Sequence, residues 1–119
     1  MILPKWCLIE GFVDYCDTAR GVYLKELSPF QVIIARTENN EYWIFPINPW
    51  RGEVLVQGGA YFTRPSEALF NGSSFGGCML KTGWVGIGMR MEICAAGKRI
   101  VTTPVRSLVV EELGRVQPE

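Results

Sequence analysis

Phe30 to Phe45 reads FQVIIARTENNEYWIF, and whether this stretch is a hairpin or opens a helix decides the fold. Two runs rich in β-branched and aromatic residues, Phe30 to Arg36 and Glu41 to Phe45, flank Glu38-Asn39-Asn40, and paired asparagines tolerate the positive φ of a tight turn. Against this, Ser28-Pro29-Phe30-Gln31 has the residue placement of a helix capping box. The triplet Val32-Ile33-Ile34 is stiff at χ1 and costly in a helix, which favours strand. The stretch therefore predicts a β-hairpin.

The pattern continues outward. From Val85 the chain alternates, with Val85, Ile87, Met89, Met91 and Ile93 on one side and Gly86, Gly88, Arg90 and Glu92 on the other, which predicts one half-buried strand. Ala95 to Lys98 should turn the chain into a partner at Arg99 to Thr103, with Pro104 breaking that arm before Val105 to Val110. Trp6 to Val13 and Val22 to Leu27 read as strands around a Cys16 to Gly21 loop, and Glu53 to Gln57 as a short strand. The single helix expected runs from about Pro65 to Phe70, with proline in its first turn and Asn71-Gly72 stopping it. These elements imply a mainly β protein, a small antiparallel barrel or sandwich with one short helix. The alternative is an α+β arrangement if Asp14 to Leu27 or Ser28 to Arg36 is helical.

With 119 residues, 48% of them hydrophobic and 20% charged, the chain suits one globular domain over residues 1–113, followed by a flexible tail over 114–119. Twelve basic residues balance twelve acidic ones, so no overall field draws nucleic acid or anionic lipid, and neither is expected as a partner. No stretch has the form of an export signal or a membrane span, and a soluble cytoplasmic protein is the expectation. Cys7, Cys16, Cys78 and Cys94 lack the spacing of zinc ligands and there is no histidine, so no metal and no cofactor is expected. Without histidine the commonest general base is missing, which points away from an enzyme and leaves no catalytic residues to name.

The unusual chemistry lies between Tyr42 and Trp84. That segment holds nine of the fourteen aromatic residues, yet only five charged ones. Aromatic surface with so little charge around it marks a binding or self-association region. Trp50 and Arg51, in the proline-bounded loop PINPWRG, have the composition of a contact anchor. Trp43, Tyr61 and Trp84 are further candidates for lining a pocket with Trp50. Arg90 stands on a strand face with bare glycines that would let a ligand or another backbone approach. The expected function is a non-enzymatic binding or self-assembly module that forms a homo-oligomer through this region. The alternative is a small-molecule binding protein or modest enzyme with an aromatic-lined pocket.

Within that region, Asn71 to Thr82 reads NGSSFGGCMLKT. Gly72 and Gly77 have the spacing of a phosphate-binding loop, but Cys78-Met79 stand where the lysine and hydroxyl belong. What packs against Phe75 is open. Asn71-Gly72-Ser73-Ser74-Phe75-Gly76 resembles the Asn/Asp-x-Ser-x-x-Gly motif of PilZ domains, small β-barrels that bind cyclic di-GMP, and the resemblance extends over about Ala68 to Ile93. It implies that Asn71, Ser73 and Gly76 contact the nucleotide. The family's upstream Arg-x-x-x-Arg motif is missing, since Arg36, Arg51 and Arg64 each stand alone; Arg64 is the arginine the resemblance leaves for that role.

Overall fold

The central hairpin forms as the sequence predicts. In the computed structural model, which describes residues 9–77 and 79–114, Gln31–Arg36 (β2) and Glu41–Asn48 (β3) pair antiparallel, with Ile33 opposite Ile44 and Arg36 opposite Glu41. The turn does not use positive φ at the asparagines. Instead the Thr37 amide donates to the Asn40 carbonyl at 2.9 Å, closing a wider loop.

Glu53–Gly58 (β4) extends the sheet from β3, and Phe62–Ser74 (β5) extends it again. The expected helix from Pro65 to Phe70 is therefore a strand. Its alternation carries the reason: Ala68 and Phe70 are buried, while Glu67 and Leu69 are exposed. Pro65 is tolerated because it lies beside the register shift between Val56 and Gly58, before the neighbour on the other edge begins at Leu69.

β5 is long enough to serve two partners on one edge. Its first part pairs with β4 and its last residues with Leu80–Thr82 (β6), while its other edge takes Arg90–Ala95 (β8) and then Lys98–Pro104 (β9). Between β6 and β8, Trp84–Gly86 (β7) pairs with Gly21–Tyr23 (β1) in a separate ribbon. The continuous strand expected from Val85 to Ile93 is thus two strands. Gly88, at φ +86°, breaks it, and the Gly88 amide and the Met89 carbonyl bond to Val105 instead of a ladder neighbour.

After Pro104 the chain does not return along β8. Ser107–Glu112 (β10) crosses to the opposite end of the sheet and pairs with β2. Pro104 cannot donate to the ladder, and Val105 is buried where the chain turns. The main sheet runs β10-β2-β3-β4-β5-β8-β9 as an open path with β6 attached to β5. The fold is mainly β and antiparallel, a sandwich-like arrangement that does not close as a barrel among the described residues.

The one α-helix among the described residues, Ile9–Thr18 (α1), occupies sequence expected to be strand and loop. The start of that expected strand, before Ile9, lies outside the described residues, as do Cys7, Cys78 and residues 115–119 of the expected tail. Phe12, Cys16, Tyr15 and Ala19 recur at helical spacing, and all pack into one cluster. Val22 to Leu27, expected as a strand, is β1 followed by a short 3₁₀ turn at Leu24–Glu26.

Two clusters hold these layers together. The larger takes Ile33, Ala35, Ile44, Val54, Val56, Phe70, Met91 and Ile93 from successive strands of the main sheet. The smaller joins α1 to Trp84, Met89, Phe75 and Met79. Gly21 and Gly86 face each other across the β1–β7 ribbon because the Trp84 indole lies over both, and a Cβ at either would overlap it.

Candidate functional site

One face of the β3–β4–β5 sheet supplies the core. Tyr42 and Ile44 on β3 and Val54 and Val56 on β4 point inward and are buried. The alternate positions carry Trp43, Phe45 and Ile47 on β3, Leu55 on β4 and Leu69 on β5, with Glu41, Glu53, Gln57 and Glu67 among them. Registry places them together, since Ile34 lies opposite Trp43, Phe45 opposite Leu55 and Glu53 opposite Leu69. Ile47 is 51% exposed and Leu69 45%. On β10, Val109 opposite Ile34 adds to this face.

Trp43 is held firmly on it. Its Nε1 donates to Glu41 Oε1 at 2.7 Å, Arg36 Nε donates to the other carboxylate oxygen at 2.6 Å, and the ring stacks near Phe45 at 6.4 Å. The bond from Trp43 and the Arg36 guanidinium keep the Glu41 carboxyl below its ordinary range. Beside these rings is an open hollow of about 520 Å³, reaching Gln57 and Gly58. A groove of about 460 Å³ runs past Ile47, Leu69 and Cys94 at the far end of the strands.

Trp50 and Arg51 sit apart, in the 3₁₀ turn Pro49–Arg51 that follows β3. Pro49 presets the first turn and Gly52, at φ +73°, closes it, so the indole is thrust outward and is 78% exposed. Arg51 reaches Glu53 at 3.5 Å. Lys25, from the 3₁₀ turn after β1, lies 5.8 Å from the Trp50 ring centroid and 5.1 Å from that of Tyr23. Lys81 continues the series, 5.4 Å from the Tyr23 ring and 4.5 Å from that of Trp84.

The other residues singled out from sequence lie elsewhere. Tyr61 is exposed in the turn before β5, edge-on to Phe62, and Arg64 is exposed on that strand. Trp84 is buried under α1. Phe75 packs edge-to-face on Phe12 and Tyr15, with centroids 6.0 and 4.9 Å away, so its partner is the helix. Arg90 donates to the Thr102 carbonyl at 3.2 Å. Next to it the buried Glu92 accepts from the Ser74 hydroxyl and, at 2.9 Å, from Arg99 Nε. Thus Trp43, Trp50, Tyr61 and Trp84 occupy different regions, with Trp50 and Trp84 linked through Lys25, Tyr23 and Lys81.

Of the three residues carrying the PilZ resemblance, Ser73 is buried, donating to the Trp84 carbonyl at 2.6 Å and accepting from the Gly86 amide at 3.1 Å. The Asn71 carbonyl accepts from the Gly83 amide at 3.0 Å. Gly76, at φ +89°, donates its amide to Ser74 Oγ at 3.0 Å.

Sequence reading missed Ile47, Leu55 and Leu69 on the sheet face, and Tyr23, Lys25 and Lys81 between the two tryptophans. The first group was signalled by a strand apolar in both phases of its alternation; the second had no signal in one dimension. Among the described residues no three His, Cys, Asp or Glu side chains converge to hold a metal. No protein-family model matches this chain, and no match to it was found among the curated proteins or the solved structures.

Proposed function

We propose that the chain is a non-enzymatic self-assembly module whose copies associate through the outer face of β3, β4 and β5. The observation that carries this reading is that β3 is apolar on both faces: Ile44 is buried in the core, while Trp43 and Phe45 share the opposite face with Leu55 and Leu69, and the exposed Ile47, in the bulge at the end of β3, lines a groove with Leu69. A strand with a solvated outer face alternates apolar and polar residues, and a departure of this extent marks an interface.

The occupant best matched to this face is a second copy. The strands β3, β4 and β5 give a sheet plane of roughly 300 Å² at ordinary strand spacing. With side-chain relief the patch stays below the roughly 800 Å² each partner gives to a standard interface, which is the size of a weak, concentration-dependent association. Arg36 and Arg99 stand on strands of the same sheet as Glu53, Glu67 and Glu111, so its charges are mixed and a rotated copy can set unlike charges opposite each other.

The test is the mass in solution across a concentration series, for the full chain and for Ile47→Lys combined with Leu69→Lys. Both positions are exposed, so the double variant retains its fold. An oligomer that the double variant reduces to a monomer supports the reading; a chain that is monomeric at every concentration removes it.

A further inference from the structure

Beyond self-assembly, we propose that the series Trp50, Lys25, Tyr23, Lys81 and Trp84 is a binding site for a free nucleoside phosphate, with the base on Trp50 and the phosphates at the two lysines. Lys25 and Lys81 both lie over the Tyr23 ring, at 5.1 and 5.4 Å from its centroid. Neither makes an ion pair with a carboxylate among the described residues. Both face aromatic rings, which hold an ammonium in place without neutralising it. Two uncompensated cations on one ring complement a polyanion small enough to bridge them.

At the end of the series stands Trp50, 78% exposed on a turn stiffened by Pro49. A planar apolar ring gains most by stacking there, within reach of Lys25. Arg51, whose pairing with Glu53 is long and exposed, adds a third cation beside the indole. The site offers one open ring, because Trp84 is buried and Tyr23 already carries both lysines. One open ring fits one base, whereas a site for a single strand presents successive rings to successive bases.

Calorimetric titration of the full chain tests this with adenosine triphosphate, adenosine, inorganic triphosphate and oligodeoxyadenylates of increasing length. Adenosine triphosphate should bind more tightly than adenosine or inorganic triphosphate. Trp50→Ala, Lys25→Met and Lys81→Met should each weaken it about tenfold, the scale of one charge-assisted or stacking contact, and Trp50→Phe should recover most of the loss. Trp50 and Lys25 are exposed, so their variants keep the fold, and far-UV circular dichroism verifies this. The proposal is overturned by any of four results: no heat with adenosine triphosphate at millimolar concentration, equal affinity for inorganic triphosphate, indifference to Trp50→Ala, or tighter binding of the oligonucleotide with increasing length.

Discussion

The Ser73 hydroxyl joins β5 to β7 by donating to the Trp84 carbonyl and accepting the Gly86 amide, at 2.6 and 3.1 Å, with Ser73 fully buried. This one side chain fixes the ribbon on which Trp84 is mounted. Ser73→Ala strands a buried carbonyl and a buried amide, at a cost of about 1 to 3 kcal/mol for each unsatisfied group. Thermal unfolding should show the midpoint falling by roughly 10 °C for a chain of this size. A midpoint unchanged within a degree or so would mean that the two backbone groups find other partners and that the hydroxyl does not fix the ribbon.

Glu92 anchors a second buried junction. It accepts from Ser74 and Arg99 on either side of β8, and Ser74 in turn accepts the Gly76 amide. Arg99 is 59% exposed, so its charge is screened and contributes little on its own. The main loss in Glu92→Ala is the buried acceptor for Ser74, expected to cost about 2 kcal/mol in urea unfolding. Glu92→Gln, which keeps an acceptor oxygen in place, should lose about half as much, and Ser74→Ala made on top of Glu92→Ala should add less than it does alone.

The central hairpin, β4, the turn at Ala96-Gly97 and β9 were legible because each is governed by local alternation and turn chemistry. The errors came where a local pattern fits two outcomes. Pro65 and Asn71-Gly72 punctuate a helix by their chemistry, but Ala68 and Phe70 are buried with period two because β5 lies between β4 and β8. From Val85 to Ile93 the expected alternation holds only in part. Val85, Met91 and Ile93 reach the main core, but Gly88 turns the chain and sends Met89 to the other cluster. The Tyr15 hydroxyl lies where a Cβ at that glycine would be. The helical spacing of Phe12, Cys16 and Ala19 was present and overlooked. Of the candidate site, aromatic density was visible in sequence, whereas the meeting of Lys25, Lys81 and Tyr23 depends on the β1–β7 pairing of residues far apart in the chain.

Gly72 is the hinge of the longest strand. It sits in the register shift opposite β8 at φ +151°, and a Cβ there would overlap the Lys81 carbonyl on β6. Gly72→Ala therefore combines backbone strain with a clash against main chain, and should destabilise the fold by at least about 2 kcal/mol. Hydrogen exchange should locate the loss: amides of β6 lose protection first, while those of the β2–β3 hairpin change least. Uniform loss across both regions would show that β5 does not divide the sheet in this way.

Stability should fall at both ends of the pH range for different reasons. Trp43 and Arg36 hold the Glu41 carboxyl below its ordinary value, so its contribution is complete above the unfolded glutamate pKa of about 4.3 and declines as pH drops through the lower folded value. Glu41→Gln should flatten that acid limb by lowering the neutral plateau by the same amount, a small one because the pair is exposed, and should leave the stability at acid pH unchanged. Tyr42 is opposite: burial, only partly offset by a bond from Asn40, raises its phenol above 10.0. Its contribution is complete below the unfolded value and disappears as pH rises through the folded one, since ionisation would place a charge in the core. Tyr42→Phe should reduce the alkaline loss measured by urea midpoints. Part of that loss should remain, because burial also raises the phenol of Tyr15, whose hydroxyl donates to the Ile87 carbonyl at 2.7 Å. If Tyr42→Phe leaves the alkaline limb unchanged, burial does not hold the folded phenol's pKa above its unfolded value.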